Sequence, residues 1–239
     1  MKCCDLTLTS AEENLACDEA LLELCESGEC AEVLRFWEPN QYFVVLGYAN
    51  RAGREVNLDF CRKQTIPVLR RCSGGGTVLQ GPGCLNYTLI LRCNGHHALQ
   101  SITGTNEHVL RCHLETLSAL LGAPVEKKGH TDLTIGGLKF SGNAQRRRQK
   151  CLLFHGSFLL DLDIELLEKT LPFPSRQPEY RSGTSHADFL MNLKVPAHLL
   201  KSALVKAWRA SETLPALPFE PIGRLVEQRY GRDEWNLRF

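Results

Sequence analysis

Arg70-Arg71-Cys72-Ser73-Gly74-Gly75-Gly76-Thr77-Val78 lies between IPVLRR (66–71) and CLNYTLILRC (84–93), the second alternating as a half-buried strand does. Three consecutive glycines let the backbone approach a ligand closely and aim its N–H groups at an anion. Arg70 and Arg71 add charge that suits a phosphate or carboxylate. No Gly-Lys-Ser/Thr follows, so this is not a Walker loop, and the G-x-G-x-x-G order of a dinucleotide turn is absent. Composition alone fits a flexible hairpin bend equally well.

Upstream, Ser10-Ala11-Glu12-Glu13 forms a capping box, which predicts a helix carrying Leu15, Leu22 and Cys25 on one stripe and stopping near Gly28. AEVLRFWEP (31–39) and YFVVLGY (42–48) read as strands joined at Pro39-Asn40, and Asn57 caps a short helix ending before Ile66-Pro67. Downstream, Leu110, Leu114, Leu117 and Leu121 predict a helix over 103–121 that Gly122 ends. TDLTI, LKFSGNAQRR and CLLFHGSFLLDL follow as strands, with Gly136-Gly137 turning between the first two. Residues 171–187 form a long loop, and helices are expected from Pro196 to about Ser211 and over about 219–230. The pattern is one α+β domain spanning 1–239 with a largely antiparallel sheet.

The 239 residues hold 28 Lys+Arg against 27 Asp+Glu and 43% hydrophobic residues, which excludes overall disorder and nucleic-acid coating by bulk charge. No apolar run has membrane length, and no signal-like segment opens the chain, so a soluble cytoplasmic protein is expected. Eleven cysteines occur without a C-x-x-C, which argues against zinc and for small buried thiols in a reducing compartment.

Two further places could carry chemistry. A tight Gly136-Gly137 turn puts Asp132 and Lys139 on neighbouring strands: the lysine is a point charge for phosphate, the carboxylate a hard oxygen for Mg²⁺. An ordinary exposed salt bridge is the alternative. His155 precedes Gly156 inside an apolar strand, which suggests close approach of a ligand or another backbone, or a hydrogen-bonded core histidine. The run 146–150 (RRRQK) reads as a solvated hairpin end, or as an attraction for an acidic protein.

NLACDEALL (14–22), RRCSGGGTV (70–78), LNYT (85–88), HTDLTIGGLKFSGNAQ (130–145) and HGSFLLDLD (155–163), in this order, resemble the lipoate–protein ligase A family of the biotin/lipoyl ligase superfamily. The resemblance implies a fold like the catalytic domain of class II aminoacyl-tRNA synthetases, with a central, mostly antiparallel sheet and flanking helices. It implies that lipoate and ATP with Mg²⁺ give lipoyl-adenylate and pyrophosphate, and that the lipoyl group then passes to a lysine of an acceptor. The acceptor would be a lipoyl domain, an H-protein-like protein or a lipoate-binding protein.

By the same resemblance Lys139 is the essential lysine, and Arg71, Ser73, Gly74, Gly75, Gly76, Thr77 and Val78 wrap lipoate and adenylate. Asn86, Gly142, Ala144 and His155 line the pocket, Asp132 is a Mg²⁺ contact, and Arg181 belongs to the adenylate-binding loop over 175–185.

Several residues depart from the family pattern. Gln80-Gly81-Pro82-Gly83 replaces a His-Asp pair and looks like the turn of the octanoyltransferase branch; Cys84 and Thr131 replace asparagines. The chain also stops about where larger ligases begin an accessory domain, a function that some relatives carry on a separate subunit. The alternatives are an ATP-independent octanoyl- or lipoyl-transferase working through an acyl-cysteine, and a non-catalytic carrier-binding protein. Neither place where transferases keep their cysteine holds one here, since GAPVEKKGH (122–130) and 171–185 contain none. Lys139, which a binding protein could lose, is retained.

Overall fold

Ser10 is extended, with φ −111° and ψ 159°, and its hydroxyl accepts from the Glu13 N–H while Glu13 reaches back to Ser10 N–H. That box starts helix α1, Ala11–Ser27, and Gly28 ends it in the left-handed region. In this computed structural model, which describes residues 1–239, α1 is buried on all sides from Asn14 to Leu22. The single stripe expected from Leu15, Leu22 and Cys25 is therefore too narrow. A sheet lies on one side of α1, and the helix Phe219–Leu225 with the π turn Val226–Tyr230 covers another.

The strands are β1 (Lys2–Asp5), β2 (Val33–Trp37), β3 (Phe43–Leu46), β4 (Val68–Arg70), β5 (Val78–Gln80) and β6 (Cys84–Arg92). They continue as β7 (Glu126–Lys128), β8 (Asp132–Ile135), β9 (Leu138–Arg147), β10 (Cys151–Leu159) and β11 (Glu212–Thr213). Eight form the main sheet in the order β11-β1-β2-β6-β10-β9-β8-β7, antiparallel except where β1 pairs with β2 and β11. A second sheet, β4-β3-β5, carries the glycine run between β4 and β5. The strands on either side of Pro39-Asn40 thus pair with different neighbours rather than with each other. Gly136 and Gly137 have φ of 58° and 85°, as the β8–β9 turn requires.

Register sorts the residues of the main sheet onto two faces. Leu34, Leu89 and Phe154 align across β2, β6 and β10, and with Phe36, Tyr87, Leu85 and Phe158 they meet the helices Ile102–Leu121 and Ala197–Ala207. Each fully buried Leu or Phe here contributes about 1.5–3 kcal/mol. On the opposite face Val33, Ile90 and Leu153 pack against α1. Covered on both faces, β6 is buried from Cys84 to Leu91 rather than half-buried. The residues 171–187 are also more ordered than a plain loop, with a 3₁₀ turn at Glu179–Arg181 and a helical turn at His186–Phe189.

His113 of the helix Ile102–Leu121 is fully buried, its Nε2 accepting from Trp208 Nε1–H at 3.1 Å and its ring edge-on to Tyr87. Burial pushes its pKa down to about 3. Because the folded pKa lies below the unfolded 6.5, the unfolded chain takes the proton first, and stability is lost as pH falls below 6.5. Acidification from pH 7 to pH 5 is expected to cost about 2 kcal/mol through His113 alone. His155, also depressed by burial, acts in the same direction. Urea denaturation at the two pH values should therefore show a smaller loss for His113→Gln than for the native protein; equal losses would refute the assignment.

Candidate active site

Along the α1 face of the sheet the apolar row Val33–Ile90–Leu153 gives way to two polar rows. The first aligns Arg35, Thr88, His155 and Ala144 across β2, β6, β10 and β9; the second aligns Trp37, Asn86, Ser157 and Gly142. Directly opposed residues share a face, so strand register alone gathers Asn86, Gly142, Ala144 and His155.

Arg35 is fully buried and cannot be left uncompensated. Asp18 of α1 meets it at 2.6 Å, and Asn14 Oδ1, one turn earlier, accepts from the other guanidinium nitrogen at 2.6 Å. Thr88 donates to Asp18 Oδ2 at 2.8 Å, and His155 Nδ1 lies 3.5 Å from the same oxygen. Burial pushes the Asp18 carboxyl up, but Arg35, His155 and Thr88 reverse this and hold it below the usual carboxylate range. Burial outweighs Asp18 at His155 and holds the imidazole below 6.5, so it is neutral at pH 7.

His155 Nε2 is 2.6 Å from Ser73 Oγ, which also accepts from Arg71 Nε–H at 3.1 Å. With Nδ1–H toward Asp18, Nε2 accepts a hydrogen bond from the Ser73 hydroxyl, and a hydrogen-bonded chain runs from Arg35 to the glycine loop. Arg71 donates further to the carbonyls of Gly74 and Gly76, at 2.6 and 2.7 Å. Its guanidinium shapes the loop, and desolvation lowers its pKa to about 10. Arg70 is likewise consumed by backbone, donating to the carbonyls of Gly47, Asn50, Trp235, Asn236 and Arg238. Gly74, Gly75 and Gly76 are exposed, Thr77 is held by Asn50 Nδ2, and Val78 packs beside the α1 core.

Gly156 is bare for a reason: a Cβ there would lie 1.8 Å from Asn143 Oδ1. The close approach expected beside His155 is thus made by the Asn143 side chain. Earlier along β9, Lys139 Nζ lies 2.8 Å from Asp132 Oδ1 and crosses the space a Gly142 Cβ would fill. Their side chains are 24% and 15% exposed, which excludes an ordinary solvated pair. Tyr180 OH donates to Asp132 Oδ2 at 2.7 Å. Arg181 lies between the Phe173 and Phe189 rings. Polar atoms buried here without a protein partner include Arg35 Nε, Trp37 Nε1, Gln80 Oε1, Asn86 Nδ2 and Arg181 Nη2.

No three His, Cys, Asp or Glu side chains are gathered to hold a metal, and both Asp132 oxygens are engaged. These residues do not fit a resident Mg²⁺. The cysteines are all free, and Cys72 and Cys84, nearest the glycine loop, are buried with pKa values pushed up to about 12 by desolvation. Asp18, Arg35, Ser157 and Tyr180 carry no mark in the sequence reading, and Gln80 stood there only as a departure from the family pattern. The signal for Asp18 was the carboxylate pair Asp18-Glu19 between the apolar runs of NLACDEALL.

Residues 10–204 match the family model of the lipoyl protein ligase A/B catalytic domain, and the chain belongs to that family. It is 28% identical to the octanoyltransferase LipM of Brevibacillus brevis, covering 94% of each chain. It is equally 28% identical to lipoate-protein ligase A subunit 1 of Thermoplasma acidophilum, covering 94% of this chain and 91% of that one. A solved bi-partite lipoate protein ligase with its E2 lipoyl domain, from the same archaeon, matches at TM-score 0.83 and 23% identity, over 99% of this chain and 95% of that one. The α+β fold expected from the motifs is the fold observed. No helix is long and apolar enough to cross a membrane.

Removing one member of the buried pair strands the other. Arg35→Met and Asp18→Leu should each cost about 3–5 kcal/mol of unfolding free energy. The double variant should lose clearly less than the sum, since neither charge is then orphaned. Urea denaturation with unchanged m-values is the measurement; strict additivity would dissolve the pair.

Proposed function

We propose that the protein is a lipoate–protein ligase that joins lipoate to ATP, releasing pyrophosphate, and transfers the lipoyl group from lipoyl-AMP to an acceptor lysine. The observation that carries this reading is the contrast between one ammonium and two thiols. Lys139 stands partly open to solvent, its Nζ over Gly142 on the strand whose Ala144 lies against Gly75 of the exposed glycine loop. Cys72 and Cys84 are sealed in the core with pKa values near 12, so neither supplies the thiolate an acyl-cysteine route needs.

In the first step a lipoate carboxylate oxygen attacks the α-phosphorus, and pyrophosphate leaves. Two anions must meet, and Lys139 neutralises the charge that develops between them. The unpaired Arg181 Nη2 supplies a further donor to the nucleotide phosphate. The exposed backbone of Gly74 to Gly76, in a loop whose carbonyls Arg71 holds, offers further N–H donors to the anion. Magnesium enters as the counter-ion of the nucleotide. In the second step the acceptor amine attacks the acyl carbon, AMP leaves and an amide forms. Enclosure by residues 171–187 limits hydrolysis of the mixed anhydride.

The acceptor is a lipoyl domain or H-protein-like protein, and the T. acidophilum subunit supports a second, accessory chain. The cytoplasm is the compartment that suits eleven unpaired thiols. The transferase reading keeps one specific support, the Gly81-Pro82-Gly83 turn together with the LipM match.

Pyrophosphate release from ATP, Mg²⁺ and lipoate, without acceptor, tests the choice. Release should require lipoate and vanish in Lys139→Ala, while Cys72→Ser and Cys84→Ser should stay within about tenfold of native turnover, roughly 1.4 kcal/mol of barrier. Full activity of the lysine variant, or loss in either cysteine variant, would reject the ligase. Acyl transfer from an acyl-carrier donor without ATP would establish the transferase.

A further inference from the structure

Asp132 divides its two oxygens between residues that reach it from different parts of the chain. Oδ1 is 2.8 Å from Lys139 Nζ, across the Gly136-Gly137 turn, and Oδ2 accepts from Tyr180 OH at 2.7 Å. A Mg²⁺ ligand needs free lone pairs directed at an ion, in near-octahedral company of other oxygens at about 2.0–2.1 Å. No partner carboxylate, histidine or thiol is gathered for that purpose. An ammonium, by contrast, has three donors, so one bond to Asp132 leaves two for a ligand. Lysine also has a long, flexible stem, and a carboxylate that fixes its tip reduces the ordering left to be done on binding.

We infer that Asp132 is a positioning residue for Lys139, not a metal ligand, and that Tyr180 locks its orientation. The inference rests on the ligase reading for the reaction that Lys139 serves. Tyr180 is itself held, its ring 5.2 Å from that of Phe189 and packed where a Gly129 Cβ would come within 3.4 Å. The neighbouring Arg181 brings its unpaired Nη2 from the same 3₁₀ turn. Seating of this segment and placement of the Lys139 ammonium are therefore one event: with Tyr180 in place, Asp132 cannot rotate away from Lys139.

The test compares the full native chain with Asp132→Asn and Tyr180→Phe, each checked for an unchanged circular dichroism spectrum. Mn²⁺ binding to the free protein is measured by electron paramagnetic resonance, without nucleotide. Pyrophosphate release is then followed against free Mg²⁺ at saturating ATP and lipoate. Mn²⁺ affinity and half-saturating Mg²⁺ should stay within about threefold of native in both variants, while kcat falls about tenfold or more in Asp132→Asn and about threefold in Tyr180→Phe. A larger shift in either metal constant for Asp132→Asn overturns the inference, as does an unchanged kcat in that variant. Absence of release from the native protein would defeat the ligase reading instead, and the Mn²⁺ comparison would still decide whether Asp132 binds metal.

Discussion

A guanidinium in the middle of a sheet, with no route to water, has to find its counter-charge inside the protein. Arg35 does so through Asp18, and Asn14 and the Leu6 carbonyl accept from its terminal nitrogens. This requirement fixes where α1 lies: the helix must present Asn14 and Asp18, one turn apart, to the row Arg35–Thr88–His155. Once Asp18 is there, it bonds Thr88 and faces His155, and His155 reaches Ser73 of the glycine loop. The apolar packing of Leu22, Cys25, Val33 and Ile90 supplies most of the free energy of that contact. The buried ion pair supplies its register, since a shift of one turn would leave two charges unpaired.

The paired arginines show how charge can be used for architecture. By composition Arg70 and Arg71 look like anion receptors, but in the folded chain their donors are spent largely on carbonyls. Arg70 gathers the C-terminal carbonyls of Trp235, Asn236 and Arg238 with those of Gly47 and Asn50, tying the end of the chain behind the glycine loop. Arg71 bends the loop from inside. A loop of three glycines has high conformational entropy, and two guanidiniums with planar, directional donors are an effective means of holding it in one shape. Lys139 and Arg181, the cations assigned to the ligand in the proposed reaction, arrive from β9 and from the 171–187 segment.

Much of this was legible in the linear chain. The capping box at Ser10 and Glu13 and the Gly136-Gly137 turn are local devices whose geometry follows from neighbours a few residues away. The motif residues Ser73, Lys139, Asp132 and His155 stood out because glycines beside them mark places where something comes close. The widths of the buried surfaces were not legible. A strand buried on one face and a strand buried on both differ only in what packs over them, so β6 read as half-buried, and α1 as a one-sided helix.

The sequence by itself determined the α+β class, the capped helices Ala11–Ser27 and Ile102–Leu121, the Gly136-Gly137 turn and the identity of the glycine loop, because these depend on short-range sterics, capping and periodicity. Only the tertiary structure decided which groups face one another. It aligned His155 with Thr88 and Arg35, separated the strands flanking Pro39-Asn40 into two sheets, and brought Tyr180 to Asp132 across 48 residues. It also sealed Cys72 and Cys84, which lie near the glycine loop in sequence, in the core, where desolvation pushes their thiols up. The physical reason is the same in each case: charge pairing, desolvation and strand register are properties of distance in space, and a linear chain carries no record of it until the core has closed.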